Sequence, residues 1–296
     1  MADSQSPWLS LSSGELSAEI NPLGAQLSVL RDREDRDLLW DGDPIIWNGR
    51  APLLFPIVGM LAGGRYRIGE HTYGLPRHGF ARGKLFEVKS ATDSSAELVL
   101  RSDAETLAVY PFEFELEVRY LLRGTALSIT TWVRNHGEQP MPASFGYHPA
   151  FRWPLPYGQP RAAHFIQFET DEPAPARRLN SAGLLRAEQF PTPIDRKRLQ
   201  LADYLFQDDV LIFDRIRSRS VSYGAASGPR LTVVFPDSPY LGVWTKPGAG
   251  FICIEPWHGI ADPQGFDGEL SAKPGIFILP ATEALPISMT ISLTPG

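Results

Sequence analysis

From Phe112 the chain reads Phe-Glu-Phe-Glu-Leu-Glu-Val-Arg-Tyr, an unbroken alternation of apolar and charged side chains. A repeat of two matches a strand with one face buried and one in water, and no helix face collects it. Arg123 and Gly124 then signal a turn. Leu127 to Val133 follows, rich in β-branched and aromatic residues, and a polar turn closes at Asn135 to Gln139. Gly69-Glu70 separates Tyr66–Ile68 from Thr72–Leu75, and glycine first in a two-residue loop predicts a type II′ hairpin.

Further strands are expected at Leu231–Phe235, Tyr240–Lys246, Phe251–Ile254, Gly275–Leu279 and Pro286–Leu293, each bounded by turn residues. No long stretch carries a helical period, and 27 prolines and 26 glycines punctuate the chain, so many short strands forming a sandwich or barrel are expected. The stretch from Asp171 to Lys197 is rich in proline and charge. It reads as a long surface excursion rather than a linker, because strand-like sequence resumes after it. We therefore expect one all-β domain over residues 1–296.

The hydrophobic fraction of 43% is enough for a sizeable core. The net charge is −6, with lysine and arginine scattered, which argues against a nucleic-acid-binding face and against a polybasic membrane anchor. The single cysteine, Cys253, permits no internal disulfide and fits a reducing compartment. Met1 to Ser13 lacks the pattern of a secretory signal, and no apolar run approaches the ~20 residues that cross a bilayer. A cytoplasmic location is the expectation.

Three histidines sit in distinctive settings: His78 in Pro-Arg-His-Gly-Phe-Ala-Arg, His148 in Phe-Gly-Tyr-His-Pro-Ala-Phe, and His258 in Ile-Glu-Pro-Trp-His-Gly. The last segment places Glu255 directly after an apolar strand, where a carboxylate is costly unless paired or used. A salt bridge at a strand end, or packed loop histidines, would be the unremarkable explanation. His71, His136 and His164 read as solvated. Glu255 and His258 have zinc-helix spacing, but Pro256 and Gly259 rule out a helix there, and no other metal pattern occurs. Phosphate-loop, Gly-x-Ser-x-Gly and Cys-based nucleophile patterns are absent. What remains is a carboxylate and histidines beside aromatics. That set suits acid–base work on a small polar molecule such as a sugar, with Tyr147 and Trp257 as stacking faces, or else simply as core.

Five segments carry a resemblance. They are Ala51–Gly59 followed by a Gly-x-Tyr hairpin, Leu75–Arg82, Gly146–Phe151, Tyr240–Trp244 and Ile252–Asp262. In this order they resemble the aldose 1-epimerases, or galactose mutarotase-like proteins, in their LacX-like branch. The resemblance spans about residues 14 to 294. It implies a large antiparallel β-sandwich with a sugar cleft on one sheet, a free aldose as partner, and no cofactor. It also implies Glu255 as general base, His148 as general acid, His78 as a sugar-holding group near the ring oxygen, and Asp209 (with Asp208 as the neighbouring register) on the sugar hydroxyls. The family's usual arginine before the hairpin falls at Met60, which cannot donate those bonds. Arg50, Arg65 or Arg77 substitutes in space, or specificity or activity differs. Unperturbed pKa values of about 4.3 for Glu and about 6.5 for His would suit both groups to proton transfer at neutral pH. A hexose-6-phosphate epimerase using Arg77 and Arg82, or a non-catalytic sugar-binding or regulatory protein, stays open at this point. Oligomeric state is not legible.

Overall fold

The computed structural model describes residues 8–296. Its frame is two antiparallel sheets packed face to face. The larger has nine strands, running in space from Arg198–Gln200 through Phe165–Phe168, Ser220–Gly224, Arg230–Val234, Ala284–Thr294, Ala126–Asn135, Phe114–Arg123 and Ser95–Arg101 to Glu87–Ala91. Its alternation works as the sequence demands. Leu116, Val118 and Tyr120 point into the core, while Glu115 and Arg119 face outward and pair with Arg101 and Glu97 at 2.9 and 3.0 Å. Such exposed pairs add little stability each and mainly keep the outer face wet.

The second sheet runs Leu211–Phe213, Tyr240–Trp244, Phe251–His258, Phe145–Tyr147 and Leu53–Leu54, with Ala150–Arg152 also paired to Phe251–His258. Both of its faces are covered, so its strands read as continuous apolar runs rather than alternations. Ile252, Ile254, Leu241 and Val243 join the core shared with the nine-stranded sheet. Phe251, Cys253, Glu255 and Trp257 face the other way. The apolar strand therefore does not end at Ile254; it continues through Pro256 to His258, and Glu255 lies inside it.

The hairpin Arg65–Ile68 with His71–Gly74 has the expected two-residue loop. Gly69 is at φ +57 and Glu70 is not in the positive region, the combination of a type II′ turn. Among the described residues, Ala104–Val109 is the one α-helix, opened by a capping box between Asp103 and Thr106.

Two further expectations are corrected. The stretch 171–197 is not a surface excursion. Leu179 and Leu185 are buried with Leu54, Ile212 and Trp257, and Leu185 N donates to Asp262 O at 2.8 Å. This segment wraps over the second sheet and gives its outer face the cover that its apolar residues require. His164 is buried rather than solvated. Its Nε2 accepts from Leu155 N at 3.1 Å, which leaves Nδ1 to donate to Pro160 O at 3.0 Å.

Tyr147 links the two sheets. Its hydroxyl donates to Ile287 O at 2.7 Å and lies 2.9 Å from Thr131 Oγ1, both on the nine-stranded sheet. Tyr147→Phe leaves these groups buried with fewer partners, so urea denaturation is expected to show a loss of about 1–2 kcal/mol.

Candidate active site

The outer face of the second sheet carries a cleft, and side-chain alternation decides what enters it. In Phe251–His258 every second residue faces the cleft, so Cys253, Glu255 and Trp257 lie in one row. Opposite them, Phe145–Tyr147 and Ala150–Arg152 hold one continuous register, with Gly146 facing Trp257 and Ala150 facing Cys253. The residues between these short strands are His148 and Pro149, and that register sets His148 beside Glu255. Their closest atoms, His148 Nε2 and Glu255 Oε2, are 3.1 Å apart. The same parity corrects the expectation for Tyr147. Consecutive strand residues face opposite sides, so Tyr147 points into the core and does not line the cleft.

Trp257 forms the floor. A Cβ on Gly146 would meet its ring at 2.7 Å, and one on Gly242 at 2.5 Å, so glycine at both positions lets the indole lie across the two neighbouring strands. Trp47 stacks on His148 with ring centres 5.2 Å apart, and Trp244 meets Trp47 edge-on at 5.3 Å. Neither of these tryptophans was singled out from the sequence. For Trp244 a signal existed, since it shares the parity of Tyr240 and Gly242. Trp47 sits on a loop and offered none.

His78 enters from a strained turn, with φ +68. The next residue, Gly79, could carry no side chain, because a Cβ there would fall 2.2 Å from Phe55 O. Gly59 N donates to His78 Nδ1 at 3.1 Å, so in the neutral ring the proton sits on Nε2. Arg77 and Asp209 also line the cleft, joined at 3.4 Å. Asp209 is held at φ +65 by Arg178, which donates to Asp209 O at 3.0 Å and to Leu205 O at 2.6 Å. Asp208 is exposed and does not line the cleft, whereas Asp209 does. Among the substitutes considered for Met60, Arg77 reaches the cleft. Arg50 instead donates to Ser28 O and stacks on Trp8, and Arg65 is the first residue of the hairpin, away from the cleft. Arg82 also lines the cleft, and it braces Arg77 by donating to its carbonyl at 2.9 Å.

The electrostatics differ from those of free side chains. Burial pushes Glu255 well above the usual carboxylate range; Asp209 adds to this and Arg77 opposes it. Burial, with smaller contributions from Arg82 and Arg77, lowers His148 to about 3. Burial, followed by His148, Arg77 and Arg82, also lowers His78. The cleft thus favours an uncharged pair, a protonated Glu255 beside a neutral His148. Sequence patterns gave no metal site, yet the fold brings donor atoms of His148, Cys253 and Glu255 within 4.8 Å of one another.

A family model for aldose 1-epimerase matches residues 7–270. The chain belongs to the aldose 1-epimerase family. It is 34% identical over 282 residues to the plasmid-borne Protein LacX of Lactococcus lactis subsp. lactis, covering 92% of this chain and 93% of that one. A galactose mutarotase related enzyme from Lactobacillus acidophilus superposes with a TM-score of 0.90 at 30% identity, over 97% of each chain. A galactose mutarotase-like protein from Lactobacillus casei ATCC 334 also reaches 0.90, at 27% identity, over 97% of this chain and 100% of that one. The fold is therefore the large antiparallel sandwich of galactose mutarotase-like proteins. Among the described residues, no helix is long and apolar enough to cross a membrane.

The raised Glu255 value has a consequence for stability. The unfolded side chain titrates near ~4.3. Below that pH both states are protonated and Glu255 contributes its full share. As pH rises toward the folded value, unfolding releases a proton and that share is lost. Glu255→Gln cannot ionise. Thermal melts should show the variant level with wild type near pH 4 and more stable, by about 1–2 kcal/mol, at neutral pH.

Proposed function

We propose that this member of the aldose 1-epimerase family interconverts the α and β anomers of a free aldose by acid–base ring opening and closing. The observation that carries this reading is the buried Glu255–His148 pair, its closest atoms 3.1 Å apart, on the floor of a tryptophan-lined cleft.

An aldose ring opens when the C1 hydroxyl loses its proton and the ring oxygen gains one. The two oxygens share one carbon, so two neighbouring groups can serve both. The pair carries one proton and no net charge in either arrangement, on the carboxyl or on the imidazole, and one transfer converts the two. With the imidazole protonated, Glu255 takes the C1 hydroxyl proton, His148 gives its proton to O5, and the C1–O5 bond breaks to leave an aldehyde. Rotation about C1–C2 presents the other face. The O5 hydroxyl then returns its proton to His148 as O5 attacks C1, and Glu255 returns its proton to the former carbonyl oxygen. Only protons move, so no cofactor is needed. The Nε2–H of His78 donates to the ring-oxygen side, Asp209 and Arg77 hold hydroxyls, and Trp257 supports the sugar's apolar face. Tyr147 has no part in this scheme.

A second reading has its own support. Arg77 and Arg82 both line the cleft, which suits a phosphorylated hexose. Asp209 is paired with Arg77, which favours the free sugar. A pure sugar binder would have no use for a carboxylate whose burial carries such a penalty.

Polarimetry of freshly dissolved α-glucose and α-galactose, repeated with hexose 6-phosphates, tests the proposal. Wild type should accelerate mutarotation of a free aldose, and Glu255→Gln should slow it ~10²–10⁴-fold while remaining folded. A folded variant with a near-normal rate would sink the role of Glu255. A preference for the 6-phosphates would shift the substrate to the second reading.

The pH profile provides a further check. A second proton reaches the pair only near the lowered His148 value of about 3, and the single proton leaves only above the raised Glu255 value. After subtraction of the uncatalysed rate, activity should stay level through the region around ~6.5 where a free imidazole titrates. A sharp fall there would contradict this electrostatic picture.

A further inference from the structure

Cys253 has no part in the proposed chemistry, yet it lies one strand repeat from Glu255 on the same face and diagonally across from His148. All three side chains are buried, Cys253 completely and Glu255 and His148 at 1% and 7% exposure. Their donor atoms fall within 4.8 Å of one another. Glu255 Oε2 and His148 Nδ1 make no hydrogen bond within the protein. A sulfur, an imidazole nitrogen and a carboxylate oxygen are the ligand types of three-ligand zinc sites, which keep a fourth position open. Zn–S bonds of ~2.3 Å and Zn–N bonds of ~2.0 Å put neighbouring ligands ~3–4 Å apart, a spacing small side-chain rotations here would meet.

We propose that His148, Cys253 and Glu255 form a binding site for a thiophilic divalent cation of the zinc class, reached through the sugar cleft, and that its occupation blocks the acid–base pair. The cation takes the lone pairs that the proton transfers use. Binding releases two protons, one from the Cys253 thiol and the one held by the Glu255–His148 pair, so affinity rises with pH. Nearby Arg77 repels a cation, but Asp209 neutralises it at 3.4 Å, while Arg82 remains to weaken the site. The fourth position opens toward the cleft, to water or a sugar hydroxyl.

The test titrates full-length protein with Zn²⁺ by calorimetry and with Cd²⁺ by ultraviolet absorption, for wild type, Cys253→Ala and Cys253→Ser. One ion per chain and a cadmium–thiolate band are expected for wild type, with no band in either variant. Loss of an outer partner alone lowers metal affinity ~10–100-fold, and loss of a direct ligand should lower Zn²⁺ affinity at least as much. Glu255→Gln should weaken binding as well, which serves where a cysteine variant does not fold. Zn²⁺ should inhibit wild-type mutarotation and spare Cys253→Ala. Absence of the thiolate band, or equal Zn²⁺ affinity in wild type and Cys253→Ala, overturns the site. The spectroscopic and calorimetric arms need no turnover, so they decide the matter even if the mutarotase reading fails.

Discussion

Glu255 occupies the middle of a strand that is buried on both faces, and the surrounding structure is arranged around that fact. A carboxylate there cannot be hydrated, and no arginine or lysine pairs with it. Water can be removed from such a group only if it stays neutral or shares its proton with a partner. His148, whose Nε2 lies 3.1 Å from Glu255 Oε2, is the group nearest at hand for that role. It is available because the neighbouring strand breaks at His148-Pro149 and resumes at Ala150 without losing register. The break is bridged by Pro149 O, which accepts from Ile254 N at 3.2 Å. An uninterrupted regular strand would give His148 an ordinary pleated position; the break lets its ring settle against Trp47.

The cleft's other walls come from distant parts of the chain, and each is fixed by a local backbone constraint. His78 depends on a left-handed turn, and on Gly79 passing against Phe55. The loop from Gly59 to Ala62 that orients the His78 ring is pinned from behind. Ala62 N donates to Asp262 Oδ2 at 2.8 Å, and Lys273 Nζ donates to Asp262 Oδ1 at 2.7 Å, with both charged side chains buried. A buried ion pair of this kind offers little net stability, but it is satisfied only in one geometry. That geometry keeps Gly59 N aimed at His78 Nδ1. Asp209 is positioned in a comparable way by the two backbone contacts of Arg178.

Much of this was legible in the sequence, and the parts that were not failed for physical reasons. Period-two alternation exposed the nine-stranded sheet because that sheet has one wet face. The second sheet could be read only as apolar runs, since both of its faces are covered, and this hid the fact that Phe251–Ile254 continues through Pro256. Glu255 and Trp257 are two apart and share a face, so their grouping was readable. Tyr147 and His148 are adjacent on a strand margin, and the same rule should have placed them on opposite sides. Arg77 and His78 are adjacent too, yet both reach the cleft, because they lie in a turn to which strand parity does not apply. The cover formed by residues 171–197 was misread because its buried anchors, Leu179 and Leu185, are isolated among prolines and charges. The grouping of Cys253 with His148 and Glu255 depends on the register between two strands, which no local pattern records.

The aromatic walls and the acid–base pair are one device rather than two. Glu255 is raised and His148 lowered chiefly by the loss of water, and the water is excluded by Trp257 below and by Trp47 and Trp244 at the side. Any change that opens those walls would return both groups toward their solution values, with the carboxylate charged and the imidazole nearer neutrality in its titration. Their proton affinities would then stand roughly two units apart with water competing for every transfer. With the walls in place, the charged and uncharged forms of the pair differ by one proton shift over a hydrogen-bond distance. In the proposed reaction, a bound sugar would supply hydroxyls that stabilise the charged form. The packing of three tryptophans around a broken strand is therefore part of the proposed acid–base chemistry itself, because it sets how readily the proton can be on either group.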